Sequence, residues 1–139
     1  MDNCLFCKII ANEIPAHKVY EDDLVLAFLD IRPISKGHTL IVPKKHTDGI
    51  FSLDEETMKR IGAVAKKVAQ KMKDVLGADG VNLYHASGAS AEQTVFHFHL
   101  HVIPRRKDDD ICFTRAVTAK EGVKEEELEE TAGKLKIGS

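Results

Sequence analysis

An α+β fold, a five-stranded antiparallel sheet with one long and one or two short helices, is predicted by three features of the sequence. Stretches rich in Val, Leu, Ile, Tyr and Phe recur between turn-forming clusters from Lys18 to Arg105. One longer stretch, Ser52 to Gly77, carries its apolar residues at helical spacing. The chain of 139 residues is long enough to bury one core without disulfide staples and too short for a second complete domain. We expect a single domain over 1–139, with a core of about 4–105 and a tail of 106–139.

The elements follow in order. Leu5, Phe6, Ile9 and Ile10 suit a short amphipathic helix from Cys4 to Ala11, ended by Asn12 and Pro15. Lys18–Glu21 and Leu24–Asp30 are expected to be adjacent antiparallel strands, with Glu21-Asp22-Asp23 as the turn. Arg32 to Gly37 has the composition of a loop, and His38 to Pro43 that of a third strand. Ser52 and Glu55 match a capping box, after which Met58, Ile61, Ala65, Val68, Met72 and Val75 mark the buried stripe of the long helix. Val81–His85 and Phe96–Ile103 supply the fourth and fifth strands, and the meander of antiparallel strands plus helices places the fold in the α+β class. Beyond Arg105 a charge run, Arg106 to Asp110, precedes a tail whose early Glu125-Glu126-Glu127 and later Lys134 and Lys136 favour the dipole of a short terminal helix.

Formal net charge is only −2 with acids and bases nearly balanced, which argues against a broad nucleic-acid or membrane surface and confines any phosphate recognition to a local site. The first residues, Met1-Asp2-Asn3-Cys4, lack the regions of a signal peptide, and no apolar run approaches the roughly 18 residues that cross a bilayer. A cytoplasmic location is expected. In that compartment the three cysteines are not a disulfide framework. Cys4 and Cys7 form a Cys-x-x-Cys better suited to a metal half-site than to redox chemistry, because no strand precedes it. Cys112 stands apart, without an assigned role.

The densest chemistry lies in Gln93-Thr94-Val95-Phe96-His97-Phe98-His99-Leu100-His101-Val102-Ile103-Pro104-Arg105. Strict alternation predicts a strand with His97, His99 and His101 on one face at roughly 7 Å intervals, and Phe96, Phe98, Leu100 and Val102 in the core behind them. Neutral imidazole is a nucleophile, a base and a metal ligand. Such a row therefore points either to a metal site or to attack on an electrophile such as phosphorus.

From Gln93 to Ile103 the residues resemble the His-φ-His-φ-His-φ-φ signature, with its preceding Gln-Ser/Thr-Val, of the histidine triad (HIT) superfamily, bacterial Hit/Hint-like branch. Gly37 to His46 is similar to another segment of that family, and the likeness extends from about Cys4 to Arg105. The resemblance implies a HIT-like fold and a nucleotide hydrolase or transferase. It assigns His99 as the nucleophile toward an α-phosphorus, His101 as a donor to the phosphoryl oxygens, and Gln93 and Thr94 to the bridging atom and leaving group. It places Asp30 at the ribose hydroxyls, and Leu5, Phe6, Ile9, Leu29 and Ile31 in the slot for the base. It also implies a structural zinc on Cys4, Cys7, His46 and His97, the Cys₂His₂ set that tetrahedral zinc prefers.

A purine nucleotide conjugate, either a nucleoside phosphoramidate or a dinucleoside polyphosphate, is the implied substrate, and AMP or GMP the product. A homodimer through the long helix and a sheet edge is implied as well. Two departures from the family pattern bear on activity: Ala86-Ser87-Gly88 replaces an Asn-x-Gly, and Glu92 replaces the glycine of Ala-Gly-Gln. They keep open an alternative, a nucleotide-binding adaptor or signalling protein with little turnover; a third reading is a zinc-dependent hydrolase that uses the histidines as catalytic ligands.

Overall fold

The computed structural model describes residues 3–113 and 122–138. They fall into two compact units that divide between Asp109 and Asp110. In the larger unit α1 (Leu5–Ile10) is followed by β1 (Lys18–Glu21), β2 (Val25–Leu29), β3 (Thr39–Pro43), α2 (Glu55–Leu76), β4 (Gly80–Tyr84) and β5 (Leu100–Arg105). The smaller unit contains α3 (Glu125–Leu135).

The sheet has five strands in the order β1-β2-β3-β5-β4, and every neighbouring pair is antiparallel. It is not a simple meander. The last strand inserts between β3 and β4, because α2 carries the chain over one face of the sheet and β4 folds back on β5. β2 and β3 are buried along nearly their whole length because both faces are covered, so their sequences are continuous apolar runs. Val25, Ala27, Ile41 and Val102 pack beneath Ile61, Val64, Ala65 and Met72 of α2. On the opposite face Leu26, Phe28, Leu40 and Val42 meet Phe6 and Ile9 of α1.

The first hairpin closes on Asp22, whose Oδ1 accepts the Leu24 and Val25 amides at 2.8 and 2.9 Å. Its Oδ2 takes the Arg60 guanidinium at 2.7 Å, tying the turn to α2. Asp54, and not Ser52, caps α2: its carboxylate accepts the Thr57 amide at 3.0 Å, whereas the Ser52 hydroxyl turns to the Gly49 carbonyl. Asp54 sits immediately before Glu55 and Glu56, so three acidic groups meet the positive end of the dipole. The helix stops at Gly77, which takes a left-handed φ of 66° as helix-ending glycines do. Within the stripe, Val64 is buried and Val75 is 66% exposed, the reverse of the spacing argument.

The fifth strand begins at Leu100, four residues later than the alternation predicts. The Phe98 amide donates to the Thr47 carbonyl at 2.7 Å, so this stretch is held by the loop after β3 and not by a neighbouring strand. Phe96, expected in the core, is consequently about half exposed, while Phe98, Leu100 and Val102 are buried.

Candidate active site and metal centre

The irregular entry to β5 divides the three histidines between two jobs. His97, fully buried, turns toward the N-terminal Cys-x-x-Cys. Its Nδ1 lies 3.3 Å from Cys4 Sγ and 3.6 Å from Cys7 Sγ. His46 Nδ1 lies 3.3 Å from Cys7 Sγ, and all four donor atoms fall within 4.8 Å of one another. Zinc bonds of roughly 2.0–2.3 Å place tetrahedral donors roughly 3.3–3.8 Å apart. The outer hydrogen bonds agree with that use. His97 Nε2 donates to the Pro43 carbonyl at 2.8 Å and His46 Nε2 to Asp48 Oδ1 at 3.0 Å, so both Nδ1 lone pairs point at the sulfurs. Burial, reinforced by the neighbouring Cys4, pushes the Cys7 thiol up to about 11. The residues present fit a zinc ion, whose charge would favour the thiolate that burial opposes.

His99 faces the other way, into a cavity of about 500 Å³. Its Nδ1 donates to the His97 carbonyl at 2.8 Å, which leaves the Nε2 lone pair for chemistry. Phe6 packs edge-on against both rings, at 5.8 Å from His97 and 5.1 Å from His99, so one side chain of α1 touches both the Cys₂His₂ cluster and the cavity. Burial keeps the pKa of His99 below the usual histidine value, and its bond to the His97 carbonyl only partly opposes this. The ring stays neutral and nucleophilic.

His101 alone of the three lies on the regular strand, its ring 4.9 Å from that of His99. A fourth histidine, His38, sets its tautomer. The Ile34 amide donates to His38 Nδ1 at 3.0 Å, so the proton sits on His38 Nε2 and is donated to His101 Nδ1 at 2.8 Å. His101 must then carry its own proton on Nε2, as a donor. Burial, with His99 and His38 nearby, holds His101 down at about 4. Asp30, His38 and His101 also have donor atoms close enough for a cation, but a metal on His38 Nε2 would require a proton on Nδ1, directed against the Ile34 amide. This second cluster is a hydrogen-bond relay.

Leu5, Phe6, Ile9, Leu29, Ile31, Asp30, Thr94, His99 and His101, all singled out from sequence, line the one cavity. Asp30 Oδ1 accepts the Arg32 amide at 2.8 Å, and Oδ2 stands 3.7 Å from His38 Nε2. Gln93 is placed elsewhere. Its Nε2 donates to the carbonyls of Asp48 and Val95 at 2.6 and 3.0 Å, and its Oε1 accepts the Gly88 amide at 2.7 Å, so the amide staples the loop. Sequence reasoning missed His38, read only as the start of a strand, and His85, whose Nδ1 donates to the His99 carbonyl at 2.9 Å while its ring stacks on Phe98. His38 stands in the Gly37-His38-Thr39 segment that begins β3, a signal that could have drawn attention to it.

The HIT domain profile matches residues 11–108. The chain belongs to the HIT family. A HIT-like protein of Borreliella burgdorferi is 50% identical over 117 residues, covering 83% of this chain and 84% of its own. Adenylylsulfatase HINT3 of Arabidopsis thaliana is 41% identical over 111 residues, 78% of this chain and 55% of that protein. A zinc-bound histidine triad family protein from Mycobacterium smegmatis superposes with a TM-score of 0.77 at 43% identity, covering 81% of each chain. The HIT fold is thus shared, and membership of the family supports a nucleotide-hydrolase type of activity. Among the described residues of this HIT protein no helix is long and apolar enough to cross a membrane.

Proposed function

We propose that this HIT protein hydrolyses, or transfers the nucleotidyl group of, a purine nucleotide conjugate at its α-phosphate, through a covalent intermediate on His99. One observation supports the reading: His99 lines the cavity with its Nδ1 taken by the His97 carbonyl, an arrangement that assigns the lone pair to Nε2, and His101 lies beside it with its Nδ1 taken by His38. The base would enter the apolar slot of Leu5, Phe6, Ile9, Leu29 and Ile31, with the ribose at Asp30. In the first step a bond forms from His99 Nε2 to phosphorus as the bond to the leaving group breaks. His101 Nε2–H donates to a non-bridging oxygen, where negative charge develops, and the Thr94 hydroxyl stands for the departing atom. The leaving group departs with a proton, in the last instance from solvent. In the second step water attacks phosphorus and gives up a proton to solvent, the P–N bond breaks and its electron pair returns to Nε2, releasing nucleoside monophosphate.

Zinc on Cys4, Cys7, His46 and His97 would act structurally, fixing His97 and with it the carbonyl that orients His99. The adaptor reading is favoured by one finding: the Gln93 amide is spent on the loop, leaving Thr94 to face the leaving group. The two readings separate on incubation with an adenosine phosphoramidate and with diadenosine polyphosphates. AMP release that vanishes in His99→Asn supports the hydrolase. Tight AMP binding with no turnover in either protein refutes it.

A further inference from the structure

His85 takes no part in the proposed chemistry, yet its hydrogen bonds lead to the nucleophile. β4 ends at Tyr84, which pairs with His101, so the ladder stops two residues before His99. The His85 side chain takes over there, donating from Nδ1 to the His99 carbonyl at 2.9 Å. With Nδ1 protonated, Nε2 is an acceptor, and the Ser87 hydroxyl donates to it. Ser87 Oγ in turn accepts the Ile50 amide at 2.8 Å. The imidazole also stacks on buried Phe98, with centroids 4.1 Å apart. His85 and Ser87 flank Ala86, in the segment where the chain departs from Asn-x-Gly.

A peptide unit is planar, so a bond to its N–H or its C=O orients the whole unit. His99 hangs between two such planes. The plane joining His97 to Phe98 gives its N–H to the Thr47 carbonyl at 2.7 Å and its C=O to the His99 ring at 2.8 Å. That plane anchors the ring. The plane joining His99 to Leu100 starts at the Cα from which the ring springs, and its carbonyl is the one that His85 holds. Both supports trace back to the segment 47–50. Thr47 acts directly, and Ile50 acts through Ser87 and His85.

We propose that His85 is a positioning residue for His99, with Ser87 fixing the tautomer that lets it act. Its Nδ1–H holds the peptide after His99, so that the ring, tied at its other end to the His97 carbonyl, keeps Nε2 aimed into the cavity. The effect of His85 on turnover rests on the reading of His99 as the nucleophile. Its effect on the His99 ring does not.

Ring ¹⁵N NMR and steady-state hydrolysis of an adenosine phosphoramidate, both on the full-length protein, test this together. In His85→Ala the His99 Nδ1 proton should exchange with solvent about tenfold faster, reporting the loosened anchor. The kcat should fall by up to about 100-fold, the cost of a nucleophile misplaced by about 1 Å. AMP affinity, measured by calorimetry, should be unchanged, because neither His85 nor Ser87 lines the cavity. His85→Asn, whose amide donates to the same carbonyl, should recover most of both losses, and Ser87→Ala should fall between the two. An unaltered His99 proton or an unaltered kcat in folded His85→Ala overturns the proposal. So does a rate loss matched by lost AMP affinity, or no recovery in His85→Asn. If circular dichroism shows His85→Ala unfolded, Ser87→Ala decides by the same readouts. A faster-exchanging ring with no turnover in any of the proteins, wild type included, removes the nucleophile reading and leaves the positioning of His99 by His85 standing.

Discussion

Replacing His38 by phenylalanine keeps a ring of similar size at a position only 2% exposed and deletes both of its hydrogen bonds. The Ile34 amide loses its acceptor at 3.0 Å, and His101 Nδ1 loses its donor at 2.8 Å. Both bonds are only partly buried, so the loss of each costs about 1 kcal/mol, and the variant should unfold at a lower denaturant midpoint with unchanged slope. The kinetic effect is separate. With nothing donating to Nδ1, His101 is free to place its proton there and present a lone pair, in place of a donor, to the phosphoryl oxygens. Removing a donor to developing negative charge costs up to about 10²–10³-fold, and here the loss should fall on kcat, because His38 is not among the residues lining the nucleoside slot. The assay is steady-state hydrolysis of an adenosine phosphoramidate by His38→Phe, His101→Phe and the double variant, with the His101 tautomer read by ¹⁵N NMR. If His38 works through His101, the double variant is no slower than His101→Phe. A folded His38→Phe enzyme with unaltered kcat, or a double variant in which the two losses multiply, would refute the relay.

Three further outcomes follow from the same geometry. Glu92 holds a left-handed φ of 69°, so Glu92→Gly should stabilise the protein by about 1 kcal/mol, visible as a rise in Tm; a fall would show that the Glu92 side chain makes a contact worth more than the strain. Metal analysis should find about one zinc per chain, and Cys7→Ser should lose both the metal and stability, whereas a metal-free protein of unchanged stability would sink the zinc proposal. Acid should destabilise the fold through His101: with a folded pKa of about 4 against roughly 6.5 unfolded, its contribution is complete above pH 6.5 and is lost as pH falls toward 4. The loss is at most about 3 kcal/mol and is shared with the adjoining histidines. Denaturant titrations from pH 7 to 4 should show this slope diminished in His101→Phe, and an identical slope in both proteins would exclude the assignment.

The alternation of histidine with bulky apolar residues revealed the family, while apolar stretches between turns revealed the five strands and the helical stripe from Ser52 to Gly77 the long helix, because each rests on local periodicity along one chain. The same short-range information led to errors wherever two local solutions competed. Ser52 and Asp54 are both adequate caps, and only the course of the loop from Gly49 decides for Asp54. Phe96 alternates correctly but lies ahead of the strand, since the amide at Phe98 is taken by Thr47, a residue remote in sequence. Cys4, Cys7, His46 and His97 are separated by up to 93 positions, and their meeting depends on α1 closing over the sheet. The tautomers of His99 and His101 depend on single carbonyl and imidazole partners that no spacing rule identifies. A strand pattern specifies which side chains share a face. The proton on each ring is specified by what the completed fold brings to its other nitrogen.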